Sequence, residues 1–163
     1  ESSVEFMPHI AIYSKEMKKA NINNGFVYGG ELGRLLGRTP CKWWQLAGAS
    51  YKYTVEEISE LIREHIMTIF DDFEDTETNI ENILNSKPAI HNLLYYVYYF
   101  GGKDKAEKYF NKILKEDKFK NKYISFYNKL KEMPKEEISQ VSNEFNGAGL
   151  IQFAYLNGLK IEE

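Results

Sequence analysis

Apolar residues along most of the chain recur at the three-and-four spacing of amphipathic helices. Val55, Ile58, Leu61, Ile62, His65, Ile66 and Ile69 share one helical face, and Thr54 with Glu57 three residues later has the form of a capping box. Ile80, Ile83 and Leu84 mark a shorter helix before Pro88. Leu93 to Phe100 is apolar on both faces, the pattern of a centrally placed helix, and Gly101-Gly102 ends it. Two amphipathic helices come next, through Ala106, Tyr109, Phe110, Ile113 and Leu114 and then through Phe119, Tyr123, Phe126, Tyr127 and Leu130. Beyond Pro134, Ile138, Val141 and Phe145 suggest a further helical stretch, broken at Gly147-Ala148-Gly149 and resumed through Leu150 to Leu159.

The first fifty residues are less regular. Pro8 forbids a helix interior in the apolar stretch from Phe6 to Tyr13, which therefore reads as an extended arm or short edge strand. A helix from Ser14 should end at the turn cluster Asn21, Asn23, Asn24 and Gly25, and a second should run from Gly30 to Leu36 and stop at Gly37. Thr39-Pro40 has the form of an N-cap with proline at the first helical position, so a third helix should carry Cys41 to Ala47. The expected fold is all-α: a compact multi-helix domain with an extended arm at 1–13, a helix-turn-helix-like subdomain at 14–70 and a C-terminal helical region at 71–163.

Composition narrows the class. Of 163 residues, 43% are hydrophobic and 15% aromatic, and the formal net charge is only -3, so the chain should fold. The single cysteine, Cys41, excludes an intramolecular disulfide framework. The uncharged run Pro88 to Gly102 is too short for a membrane helix, and Glu1-Ser2-Ser3 does not begin a basic-then-apolar leader. A cytoplasmic protein without a membrane partner is expected. Charge is unevenly spread: residues 1–53 carry +3, residues 54–90 carry -8, and residues 103–135 carry +6. Local contacts with phosphate are open; indiscriminate coating of nucleic acid is not expected.

One segment, Glu31 to Ala49, has the spacing of a DNA-reading device. Leu32, Leu35 and Leu36 would give a support helix its buried side, Gly37 the turn, and Thr39-Pro40 the start of a second helix. With Trp43, Leu46 and Ala47 inward, Arg38, Cys41, Lys42, Trp44 and Gln45 lie toward the groove, where lysine can donate to guanine or phosphate and glutamine can bond adenine. From Met17 to Arg63 the chain resembles the lambda-repressor-like, or XRE, family of helix-turn-helix regulators. The likeness lies in Lys18 and Lys19 on a first helix, LGRLLG, the turn RTP, the bulky Trp43, Gly48-Ala49, and TVEEISELI. The resemblance implies a sequence-specific DNA-binding transcriptional regulator with Arg38, Lys42, Trp44 and Gln45 at double-stranded DNA, as a homodimer on paired half-sites.

The alternative is a helical protein-interaction module, an inhibitor or adaptor, without DNA binding. It rests on the acidic balance, the adjacent tryptophans and the cluster Tyr95, Tyr96, Tyr98 and Tyr99, which cannot all face one side of a helix. Residues 92–115 resemble a single tetratricopeptide-type pair, but no second copy is found, and an ordinary antiparallel helix pair is the expectation. The aromatics between Lys103 and Lys135 should be core, with the lysines solvated. His9, His65 and His91 form no ligand pair, the acidic run Asp71 to Glu77 lacks the glycine of a calcium loop, and the glycines of 25–37 form no phosphate loop. No enzymatic activity, cofactor or metal is expected.

Overall fold

A computed structural model describes residues 4–37, 42–86 and 93–162. The chain forms two compact units, residues 1–79 and 80–163.

The first unit is mixed α/β, which corrects the all-α expectation. Strand β1 (Glu5–Phe6) pairs antiparallel with β4 (Trp44–Gln45), and β2 (His9–Tyr13) pairs antiparallel with β3 (Phe26–Glu31). The apolar N-terminal stretch is thus two strands separated by Met7-Pro8, the residue that cannot donate to a ladder falling between them. Between β2 and β3 the short helix α1 (Lys15–Lys19) is capped by the Ser14 hydroxyl, which accepts the Met17 N–H, and buries Met17. Asn21, Asn23, Asn24 and Gly25 all have positive φ and reverse the chain. Strand β3 takes up Gly30 and Glu31, the start of the helix expected from Gly30 to Leu36. Gly29 is required there, since a Cβ would fall on the Ile10 carbonyl oxygen of β2. Helix α2 (Leu32–Leu35) comes directly after it, tied to the arm by Leu32 N–H donating to Pro8 O at 2.8 Å.

A helical rod then runs from residue 51 to 72. It comprises α3 (Tyr51–Leu61), one π-helical turn (Ile62–Ile66) and α4 (Met67–Asp72). It begins three residues before Thr54, so the expected capping box does not form. Thr54 instead donates to the Gln45 carbonyl at 2.9 Å, fastening the helix to β4. The Met67 N–H reaches back five residues to Ile62 O. That wider turn keeps Ile66 buried and turns His65, expected on the apolar face, to the exposed side. Leu32, Trp44 and Ile66 form the buried centre, with Phe6, Ile10, Leu35, Leu36, Ile58, Leu61, Ile62 and Ile69 packed around them.

The second unit is helical. Helix α5 (Thr76–Asn85) straddles the division between the units and buries Ile80, Ile83 and Leu84. Helices α6 (Leu93–Gly101) and α7 (Lys103–Glu116) pair across Gly102, whose φ is +83°. Helix α8 (Lys120–Glu132), the short α9 (Lys135–Ile138) and α10 (Ala148–Leu156) complete it. Of the aromatics expected in the core between Lys103 and Lys135, Tyr109, Phe110, Tyr123, Phe126 and Tyr127 are buried while the lysines lie mostly outside; Phe119, just before α8, is instead 49% exposed. The extended segment after α10 is bound to α7 by Asn111. Its amide donates to Lys160 O at 2.9 Å and accepts from Glu162 N–H at 2.8 Å, while Tyr127 donates to Leu159 O at 2.7 Å.

Candidate interaction surface

The segment expected to read DNA is where the structure departs furthest from the sequence reading. Residues 42–47 are not helical: Trp44–Gln45 is a strand, and Ala47 has φ -142° and ψ 136°. Arg38, Thr39, Pro40 and Cys41 lie outside the described residues. Pairing with β1 orients the side chains of β4. Phe6 lies opposite Trp44 and Glu5 opposite Gln45, and side chains alternate faces along a strand. Trp44 therefore enters the core, 2% exposed, whereas Trp43 points to the opposite side and is 55% exposed. The helical reading, with Trp43 buried and Trp44 in the groove, is reversed. The support-helix residues Leu32, Leu35 and Leu36 do face the core.

The remaining members of the expected DNA-contacting set are engaged elsewhere. Glu57, one turn beyond Thr54 on α3, accepts hydrogen bonds from both Lys42 Nζ and Trp44 Nε1, the latter at 3.2 Å, and the Lys42 ammonium stands 5.0 Å from the centroid of the Trp44 ring. One carboxylate thus receives the cation and the buried indole together, so Lys42 is spent on closing the corner between β4 and α3. Gln45 is exposed and reaches Glu5 across the strand pair at 3.5 Å. Two further N-terminal cations are matched by carboxylates: Arg34 with Glu31 at 2.8 Å and Lys52 with Glu56 at 3.9 Å.

What this corner does present is aromatic. Besides Trp43, the start of α3 exposes Tyr51, Tyr53 and Val55, with Tyr53 74% accessible. Thr54 bonds to β4 and Glu57 to Lys42 and Trp44, so the tyrosines stand within one helical turn of that attachment. The signal for this surface was present in the tyrosines of YKY and the doubled tryptophan, but its geometry depended on recognising β4.

The tyrosine cluster of α6 divides as a helix requires. Tyr96 is buried; Tyr95 and Tyr98 both pack on Phe153 of α10, with ring centroids 4.5 and 5.2 Å away; only Tyr99 of the four is exposed. Burial pushes the Tyr95 hydroxyl up to about 12. These side chains are chiefly packing between α6 and α10, which accounts for most of a cluster expected at an interface. Among the described residues, no three His, Cys, Asp or Glu side chains converge as metal ligands, and no helix is long and apolar enough to cross a membrane.

Residues 1–72 match the family DUF4304, a domain of unknown function. The match covers less than half of the chain and falls within the first compact unit, including both strand pairs and the full helical rod. No curated protein and no solved structure matches the chain.

Proposed function

We propose that the chain is a protein-interaction module, an inhibitor or adaptor, whose first unit engages another protein through the corner between β4 and α3. The observation that carries this reading is Trp43: a tryptophan more than half exposed on the face opposite its buried neighbour, next to the strand that is fastened to α3, whose first turn exposes Tyr51 and Tyr53. Such side chains bring large contact area at low entropic cost and are the usual energetic centres of protein interfaces. The surrounding charge favours the same partner class. A duplex-binding face needs cations facing phosphate, whereas Lys42, the cation expected to read bases, is drawn onto Glu57.

The sequence-specific DNA-binding regulator is the competing proposal, and one pair of measurements separates them. Tagged chain and its Trp43→Ala and Tyr53→Ser variants are used to retain proteins from nuclease-treated lysate, and fluorescence anisotropy monitors random 30-bp duplexes at 50 mM salt. The expected result is a protein retained by the parent chain, lost at least tenfold with either variant, and no saturable duplex binding. Duplex binding that falls steeply with salt, with retention indifferent to Trp43 and Tyr53, would overturn the proposal in favour of the regulator.

A further inference from the structure

The same unit carries a second exposed feature, on the outer face of the helical rod. Glu56, Glu60 and Glu64 succeed one another at four-residue intervals, about 6 Å per step along a helix, and all are exposed. Past the π-helical turn Met67, Phe70 and Asp71 are exposed as well, Met67 45% and Phe70 44%. Arg63 is the only lysine or arginine between residues 53 and 86, while nine acidic residues fall between 54 and 77.

This arrangement works against the helix itself. Carboxylates four residues apart repel by about 0.2–0.5 kcal/mol per pair, where a lysine in the second position would stabilise by as much. Two large apolar side chains also stay in water between Glu64 and Asp71, just past the π-helical turn, where Ile66 is buried and Met67 and Phe70 are left outside. A cationic partner with an apolar contact group relieves both costs at once, quenching the repulsion and covering the two side chains. Nucleic acid and acidic proteins relieve neither.

Resting on the interaction-module reading above, we infer that this face docks a basic amphipathic segment of the partner protein. An apolar residue of that segment meets Met67 and Phe70, flanked by lysines or arginines facing Glu60, Glu64 and Asp71.

The test uses the full chain and two 18-residue helical peptides of equal positive charge, one with leucines on a single face and one with serines replacing them, in fluorescence titrations at 50 and 300 mM salt. The leucine peptide is expected to bind at least tenfold tighter than the serine peptide, and to lose at least tenfold with Glu60→Gln/Glu64→Gln and with Met67→Ser/Phe70→Ser. Both double variants alter exposed positions, and far-UV circular dichroism verifies that they stay folded. Equal binding of the two peptides, no binding, or indifference to the Gln pair would overturn the inference while leaving a Trp43-dependent capture standing. A concentration-dependent dimer in light scattering that Glu60→Lys/Glu64→Lys dissolves would overturn it in favour of a second copy, whose lysine-rich 103–135 stretch would be the basic element.

Discussion

The adjacent tryptophans give the most discriminating test of the fold, because a helix and a strand through residues 42–47 assign them opposite fates. Trp44 is 2% exposed, packs with Leu32 and Ile66, and donates its indole N–H to Glu57. Truncation to alanine removes an aromatic side chain from the centre of the first unit, a loss of about 3–5 kcal/mol. The hydrogen bond to Glu57 adds little to that sum, since the carboxylate keeps Lys42. Trp43→Ala removes a side chain that is mostly in water and should change stability by no more than about 0.5 kcal/mol. Urea unfolding monitored by circular dichroism gives the stability difference. Fluorescence gives an independent reading, because the chain has only these two tryptophans: Trp43→Ala leaves the buried indole, with blue-shifted emission, and Trp44→Ala leaves the exposed one, with emission near that of free tryptophan. A near-neutral Trp44→Ala whose remaining emission is blue-shifted would refute the strand assignment and, with it, the exposed aromatic corner.

Particular contacts carry the other expectations. Gly29→Ala should destabilise the first unit by more than the few tenths of a kcal/mol typical of a surface change, because its Cβ would collide with the β2 backbone, and hydrogen exchange should show β2 and β3 opening together. Asn111→Ala should cost about 1–3 kcal/mol by leaving the Lys160 carbonyl and the Glu162 N–H without their amide partner, and limited proteolysis should then cut within 157–162 first. The Tyr95 hydroxyl titrates near 10 when unfolded and near 12 in its packed site. The native form therefore holds its proton longer, and the second unit should keep this contribution below pH 10 and lose it as pH rises from about 10 through 12, measured by urea midpoints across that range.

The C-terminal half was legible because its helices are long enough for periodicity to fix their buried faces, although α10 starts at Ala148, inside the expected break at Gly147-Ala148-Gly149. Tyr109, Phe110, Ile113 and Leu114 or Tyr123, Phe126, Tyr127 and Leu130 leave little choice of phase. The first unit was misread at its short elements. Strand β3 contains Phe26-Val27-Tyr28, residues that favour a pleated surface, but Gly29-Gly30 interrupts the pattern where close approach to β2 demands it. Strand β4 is two residues long and owes its conformation to a partner nearly forty residues earlier, which no local pattern records. The candidate site inherited that error. Lys42 and Gln45 have the chemistry to read bases, and only the tertiary structure turns Lys42 onto Glu57 and Trp44 into the core. Glu57 stands out in the sequence for the wrong reason: it completes no capping box, yet it closes the corner between strand and helix.

Hydrogen exchange on the chain alone and in complex with the protein it retains from lysate is the most direct test of the interaction reading. Binding should slow exchange across residues 42–57 at the aromatic corner and along 60–71 on the acidic face, with the α7–α8 region unchanged. Protection confined to other segments, or protection of 14–47 produced by duplex DNA in place of a protein, would contradict the account.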